Sequence, residues 1–157
     1  MLKRLRLPPR IKILEALGAI ADGRVKVISE NEIEVVSSSG ERVYRVRYND
    51  DGRVYSNDNG TYYKGYIGYP IIALLMLKKI LPFDERIAKA LAGIPWKQLN
   101  EVYKKYAIVE QIVLRKAEEK GVPRQAVLDF INIVMKKLSS LKLLYDENLG
   151  KIKTLPL

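Results

Sequence analysis

The sequence of residues 24–56, RVKVISENEIEVVSSSGERVYRVRYNDDGRVYS, decides the fold. Its short runs of Val, Ile and Tyr alternate with polar residues, the period-two pattern of half-buried strands. Turn residues separate the runs at Glu30-Asn31, before Gly40, and at Asp51-Gly52, and such residues favour tight connections. We therefore predict about four antiparallel strands connected in order, a β-meander.

Two arginines lie on one face of the third run. Arg45 and Arg47 alternate with Tyr and Val residues that share the other face, because successive side chains of a strand point to opposite sides. We expect the Tyr and Val side to face the core and the arginines to face solvent. Glu32 and Glu34 in the preceding run would make this face mixed in charge. It is therefore either an ordinary solvated face or a phosphate site.

On both sides of the strands, apolar residues recur at helical spacing. A helix is predicted before the strands, at residues 9–21. A second helix, at residues 68–80, is apolar almost all round and is therefore expected to be buried. Three more helices are predicted further along, at residues 84–92, 95–120 and 124–144.

These elements predict an α+β protein in two parts. Residues 1–81 form an α+β domain made of the N-terminal helix, the antiparallel meander and the buried helix. Residues 82–157 form an all-helical domain packed on it, in which the last two helices make an antiparallel hairpin. The tail from residue 148 is expected to be loose.

The composition excludes most enzyme chemistry. The 157 residues include no histidine and no cysteine, and 28 Lys+Arg against 18 Asp+Glu give a formal net charge of +10. Without imidazole or thiol there is no Ser-His or Cys-His nucleophile and no ordinary zinc site. The glycines form neither a P-loop nor a dinucleotide fingerprint, and the Asn/Asp-rich turns lack the spacing of a calcium loop. We predict a protein that is not an enzyme, with no catalytic residue, metal or cofactor.

The first residues form a basic arm. Lys3, Arg4 and Arg6 have no acidic neighbour before Glu15, and uncompensated cations attract polyanions. The alternative is a loose tail that serves solubility. Charged residues and Pro8-Pro9 interrupt the apolar segment that follows, unlike a signal peptide, and no apolar run is long enough to span a membrane. We expect a cytoplasmic protein with no membrane partner.

Residues 48–81, YNDDGRVYSNDNGTYYKGYIGYPIIALLMLKKIL, carry a resemblance to a known family. Their order of strand, Asp-Gly turn, strand, irregular loop and Ile-Ile-Ala-Leu-Leu helix resembles the SWIM-type zinc finger. The positions of the family's Cys-x-Cys and Cys-x-His pairs are occupied here by Ser56, Asp58, Gly68 and Pro70, so the resemblance implies the hydrophobic frame without zinc. It also implies a DNA-binding or protein-interaction module rather than a catalyst.

Tyrosines crowd the loop of this segment, at Tyr55, Tyr62, Tyr63, Tyr66 and Tyr69. One hypothesis is that their rings pack the loop in place of the metal. The other is that Tyr62 or Tyr63 is exposed and stacks on unpaired bases, with Lys64 and Arg53 nearby to contact phosphate. Both can hold if the inner rings pack and the outer ones are exposed.

Residues 86–105 are compatible with a helix-turn-helix whose second helix would begin near Trp96. An ordinary helical hairpin fits the spacing better, because the position expected to be small in the motif is Lys89. In the hairpin, Trp96 packs at the junction.

We therefore predict a sequence-nonspecific nucleic-acid-binding protein, with DNA favoured over RNA, that could be a subunit of a DNA-processing complex. The predicted contacts are Lys3, Arg4, Arg6, Arg45, Arg47, Arg53 and Lys64 to phosphate, and Tyr62 and Tyr63 to bases. The alternative is an adaptor or homo-oligomeric scaffold that binds a protein partner or itself through its helical part. Exposure of Ile108, Ile112 and Leu114 would favour this alternative.

Overall fold

The computed structural model of the chain describes residues 2–152. Over that range the protein has an α+β fold with a six-stranded mixed sheet and seven α-helices. The strands are β1 (Leu2–Arg4), β2 (Val25–Ser29), β3 (Glu32–Val36), β4 (Val43–Tyr48), β5 (Arg53–Ser56) and β6 (Leu144–Asp146).

The predicted meander forms the larger part of the sheet. Strands β2 to β5 follow one another and pair antiparallel, with Ile33 opposite Val46 and Val46 opposite Ser56. However, the sheet is not a simple meander. Its strand order is β1-β6-β5-β4-β3-β2, with β6 parallel to β5 and antiparallel to β1. The two chain ends thus extend one edge of the sheet.

Helices cover one face of the sheet and extend beyond it. They are α1 (Ile11–Ala21), α2 (Asn59–Tyr62), α3 (Tyr69–Leu77), α4 (Glu85–Ala90), α5 (Trp96–Tyr103), α6 (Tyr106–Glu119) and α7 (Arg124–Ser140). A 3-10 helix, Glu147–Lys151, follows β6. No helix between residues 2 and 152 has the length and apolar character needed to cross a membrane.

The core lies between the sheet and the helix pair α1 and α3. Leu14 of α1 and Leu75 of α3 are fully buried, as are Val46 and Val54 on the inner face of the sheet. Helix α3 is buried on all sides from Pro70 to Met76, as its apolar sequence predicts. Continuous burial explains why this segment needs no polar face.

The predicted helix at residues 95–120 is two helices. Lys104 adopts a left-handed conformation (φ 55°) that ends α5, and α6 begins at Tyr106. The last helix also ends earlier than predicted, at Ser140 instead of residue 144. The chain beyond it is extended, and the Leu143 carbonyl accepts a hydrogen bond from Leu5 N (2.9 Å). Pairing with the N-terminal arm thus replaces the final helical turn.

The C-terminal segment joins the sheet. The part of the predicted loose tail within the described residues, 148–152, continues the 3-10 helix, which packs against β4 and β5. Residues 153–157 lie outside the described range. The division of the chain at residue 81 stays a prediction. The expectation that the part beyond it is all-helical is wrong, because β6 comes from that part and completes the sheet.

We expect Gly18→Ala to destabilise the protein. Alanine normally stabilises a helix interior by about 1 kcal/mol over glycine. Here a Cβ at Gly18 would lie 2.8 Å from Nε1 of Trp96, whose side chain is buried at the predicted junction. The overlap should lower the free energy of unfolding by about 1–3 kcal/mol, measured by chemical denaturation. In a Trp96→Phe background, which lacks the clashing Nε1, Gly18→Ala should cost less stability than it does in the wild type. A Gly18→Ala protein that is more stable than the wild type would contradict this packing.

Candidate nucleic-acid interface and adjoining cleft

The basic arm is an ordered edge of the sheet. Strand β1 pairs with β6, and Lys3 lies opposite Tyr145. Beyond the strand, Arg6 N donates to Gly65 O (3.0 Å), and Ile67 N donates to Arg6 O (3.0 Å). Residues 2–7 are therefore fixed on two sides and do not form a loose tail.

This arrangement brings the arm to the segment between β5 and α3, residues 57–68, which we call the tyrosine loop. The Arg6 guanidinium donates to the Lys64 carbonyl, so two predicted phosphate contacts from distant parts of the sequence become neighbours. Lys3, Arg4, Arg6 and Lys64 are exposed, and none of them forms an ion pair with a carboxylate of the described residues. Their charges therefore remain available to an external anion.

Beside these cations, two aromatic rings face outward. The Tyr62 and Tyr63 side chains are 47% and 76% exposed, and their rings meet edge to face with centroids 4.8 Å apart. By contrast, the Tyr66 ring is buried against Gly60. The inner ring thus packs the loop and the outer pair is exposed. We call Lys3, Arg4, Arg6, Tyr62, Tyr63 and Lys64 the basic-aromatic surface.

The three sheet arginines do not join this surface as free cations. Arg47 is 1% exposed; its Nε lies 3.3 Å from Glu32 Oε2, and its Nη1 donates to Leu149 O (2.8 Å). The expectation that it faces solvent is wrong, because the 3-10 helix covers this part of the sheet.

The other two arginines are held by neighbouring groups. Arg45 donates to Gly150 O (2.5 Å). Arg53 lies between two carboxylates, 2.8 Å from Asp51 Oδ2 and 2.8 Å from Asp146 Oδ2. Arg53 is thus neutralised by carboxylates, and Arg45 is held by the C-terminal segment. We place only the arm and loop cations in the candidate interface, because Arg6 joins the arm to Lys64.

Hydrogen bonds centred on Asp58 close the tyrosine loop. Its buried carboxylate accepts from the Ser56 hydroxyl and from Thr61 N (3.1 Å), and it caps α2. Gly68 N in turn donates to Thr61 Oγ1 (3.0 Å), and a Cβ at Gly68 would overlap the Asp58 carboxylate. Within the described chain, no cluster of three or more His, Cys, Asp or Glu side chains could hold a metal ion.

A cleft of about 460 Å³ adjoins the basic-aromatic surface at Lys64. Its walls come from α1, the β3–β4 turn, β4, the tyrosine loop and α5. Its lining includes charged and aromatic side chains, among them Lys12, Glu15, Tyr44, Asp58, Tyr66, Tyr69, Trp96 and Asn100. Sequence reasoning missed it because these residues are far apart in the chain. The one local signal was that Lys12 and Glu15 interrupt the apolar sequence of α1.

A buried ion pair lies in the wall of the cleft. Lys12 Nζ is 2.8 Å from Glu15 Oε2, and Asn100 Nδ2 donates to Glu15 Oε1 (2.9 Å). Burial lowers the pKa of the Lys12 ammonium, but the charge and hydrogen bond of Glu15 outweigh that effect, and the net pKa is raised. Lys12 therefore remains charged at neutral pH.

Neutral tyrosine hydroxyls line the same cleft. Burial, assisted by a hydrogen bond with Tyr106, raises the pKa of Tyr66 to about 12. Burial also raises the pKa values of Tyr44 and Tyr69 above the ordinary value. These hydroxyls stay protonated at physiological pH and can both donate and accept hydrogen bonds.

Comparison with known proteins corrects the resemblance stated above. The model of a family described as "Uncharacterised conserved protein UCP014422" matches residues 5–144. No curated protein and no solved structure matches the chain. The resemblance of residues 48–81 to SWIM-type zinc fingers is therefore wrong. An apolar helix after two strands and a loop is a common arrangement, and the metal ligands that would have made it specific are absent.

We expect Asp58→Asn to change how stability depends on pH. Burial is the largest influence on the Asp58 carboxyl and raises its pKa above the ordinary 3.8 in the folded protein. When the pKa of a carboxyl is higher in the folded than in the unfolded protein, protonation stabilises the fold. This stabilisation is present at low pH and is lost as pH rises from the pKa of the unfolded state through that of the folded state. The free energy of unfolding of the wild type, relative to Asp58→Asn, should therefore fall as pH rises above about 4, measured by urea denaturation.

Asp51→Asn is the matched control. Hydrogen bonds from Arg53, chiefly from its backbone, lower the pKa of the exposed Asp51 carboxyl. The wild type should therefore gain stability relative to Asp51→Asn as pH rises toward about 4, which is the opposite sign. A difference between the wild type and Asp58→Asn that is constant or increases with pH would contradict the assignment.

Proposed function

The chain belongs to the family described as "Uncharacterised conserved protein UCP014422", and we propose that it binds nucleic acid at the basic-aromatic surface without sequence preference. One observation carries the proposal. The N-terminal arm is fixed in the sheet with Lys3, Arg4 and Arg6 exposed, and its Arg6 contacts the loop that exposes Tyr62 and Tyr63. Exposed cations without carboxylate partners, on an ordered arm that contacts the loop carrying two exposed rings, are suited to a phosphate backbone and unpaired bases.

The kinds of side chain involved favour binding without sequence preference. Lysine and arginine contacts to phosphate position a protein on nucleic acid but read no bases, and stacking on tyrosine tolerates every base. The helix-turn-helix alternative has less support: Trp96 is buried at the start of α5, and Lys97 Nζ lies 2.9 Å from Glu41 Oε2. The first residues of α5 are therefore engaged within the protein.

The choice of DNA over RNA, and a place in a DNA-processing complex, depended on the discarded zinc-finger resemblance. The formal net charge of +10 supports binding to either polymer. Titrations with single-stranded DNA, duplex DNA and single-stranded RNA of one sequence distinguish between them.

The adaptor alternative has weaker support. Of the three residues expected to be exposed on α6, Leu114 is fully buried and Ile112 is partly buried, and only Ile108 is exposed. Exposed apolar side chains do occur nearby, at Val102 and Tyr103 of α5. They continue to Tyr106 and Ile108 in the first turn of α6, but Val113 and Leu114 further along are buried, so no exposed apolar face runs the length of this helix.

We expect the double variant Lys3→Gln/Arg4→Gln to bind labelled oligonucleotides roughly tenfold more weakly at low salt. Each lost phosphate contact should also make the slope of log K against log salt shallower by about 0.9 on duplex DNA. Fluorescence anisotropy titrations at several salt concentrations measure both quantities.

The control, Lys89→Gln/Arg115→Gln, removes the same charge from exposed positions on α4 and α6. It should retain nearly full affinity and the wild-type salt slope. An equal loss in both double variants would mean that only net charge matters. A wild type that does not bind any of the three polymers at low salt would refute the proposed function.

We expect Tyr63→Ala to weaken binding to single strands selectively. Base stacking on an aromatic side chain contributes about 1–3 kcal/mol per base, and the bases of a duplex are not accessible to it. Because the Tyr63 side chain is 76% exposed, its removal should hardly change the free energy of unfolding. Tyr103→Ala, which removes a 42% exposed ring on α5, is the control. Equal losses on single-stranded and duplex DNA would contradict a stacking role.

A further inference from the structure

We propose that the cleft beside Lys64 binds a single nucleoside phosphate, with the base inside and the phosphate at the mouth. The ligand could be a free nucleotide or the terminal nucleotide of a strand held on the basic-aromatic surface. Only the second source rests on the proposed function.

The size of the cleft suits such a ligand. Its volume of about 460 Å³ lies within the range of about 300–1,000 Å³ typical of small-molecule sites. It also adjoins the basic-aromatic surface directly, because Lys64 belongs to both and Tyr66, in its wall, pairs with Arg6 through an isolated β-bridge. A strand on that surface therefore has a short path into the cleft.

Aromatic rings line the interior. Tyr44 and Tyr69 are partly exposed, and their rings meet edge to face with centroids 6.2 Å apart. The rings of Tyr66, Trp96 and Tyr106 complete the aromatic part of the lining. Such walls can stack on a flat ring, and tyrosine hydroxyls that stay neutral can bond either to donors or to acceptors on the edge of a base.

Cations lie at the mouth. Arg42 and Lys64 are exposed cleft residues, and no ion pair joins either of them to a carboxylate in residues 2–152. Glu41 and Glu101 also line the rim, but Lys97 lies between them, 2.9 and 4.0 Å from their carboxylate oxygens. A phosphate at the mouth would therefore be attracted to Arg42 and to Lys64, the two lining cations whose charge no carboxylate of residues 2–152 neutralises.

Stability does not explain the buried ion pair in the wall. Lys12 and Glu15 lie on a helix whose neighbours Ile11, Ile13 and Leu14 are almost fully buried. An apolar pair of similar volume is often as stabilising as a buried ion pair, or more so. The ion pair instead holds Asn100 of α5 against α1 through the 2.9 Å hydrogen bond to Glu15. The ion pair thus fixes the separation of α1 and α5 across the cleft and keeps this part of the wall polar.

The protein contains its own reporter of occupancy. Trp96 is the only tryptophan in the chain and lies in the cleft wall. Its fluorescence, excited selectively, should change saturably when the intact protein is titrated with AMP, GMP, CMP or UMP. Isothermal titration calorimetry on the same samples measures the affinity independently. Adenosine and inorganic phosphate, each with half of the proposed contacts, should bind at least tenfold more weakly than AMP.

Arg42→Gln tests the placement of the phosphate. It should weaken AMP binding about tenfold while leaving the weak adenosine binding unchanged. Lys89→Gln, an exposed cation of α4, should change neither. The proposal is overturned if calorimetry detects no binding of any of the four monophosphates. It is also overturned if phosphate alone binds as tightly as AMP, or if Arg42→Gln weakens AMP and adenosine equally.

Oligonucleotides with and without a 5′-phosphate separate the two sources of the ligand. If strand ends enter the cleft, the phosphorylated single strand should compete with AMP and change the Trp96 fluorescence, and Arg42→Gln should weaken this binding about tenfold, as it does for AMP. Monophosphate binding with no oligonucleotide binding would support a free nucleotide and refute the proposed function. Oligonucleotide binding that depends on Lys3 and Arg4, with no monophosphate binding, would leave the proposed function standing and refute the cleft.

Discussion

Strand β6 is held between two others, and the remaining architecture depends on that pairing. It lies parallel to β5, with Leu144 N donating to Gly52 O (3.0 Å), and antiparallel to β1. On one side it therefore gives the N-terminal arm a partner and makes it an ordered edge. The 3-10 helix that follows β6 in the chain covers Arg47. Both the candidate interface and the burial of Arg47 follow from this one strand. Its backbone N–H and C=O groups form hydrogen bonds with two segments that are distant in the sequence, which fixes all three in one sheet.

The fold gives different roles to the cations of the chain. Lys12 and Arg47 are ion-paired in buried or partly buried positions, where their role is architectural. The cations of the arm and of the tyrosine loop have no such partners within the described residues and face outward. A net charge of +10 therefore overstates how many cations can meet a polyanion and says nothing about where they lie. What matters for binding is the subset left unpaired by folding.

The cleft and the basic-aromatic surface are built around the same loop. Asp58 closes that loop from inside by accepting hydrogen bonds from Ser56 and Thr61. The loop then turns Tyr62 and Tyr63 toward solvent and places Tyr66 in the cleft wall. One hydrogen-bonded turn thus presents aromatic rings to two neighbouring but separate sites.

Local pattern determined the strands β2 to β5, their antiparallel order, the burial of α3 and the basic character of the arm. Alternation, turn residues and an all-apolar helix are properties of neighbouring residues, so they can be read from the sequence alone. Tertiary structure decided the rest. The end of α5 at Lys104, the entry of β6 into the sheet, the burial of Arg47 and the meeting of Lys12, Tyr44 and Asn100 in one cleft depend on contacts between distant segments. The zinc-finger resemblance was wrong because the order of elements, without its metal ligands, does not specify how those segments meet.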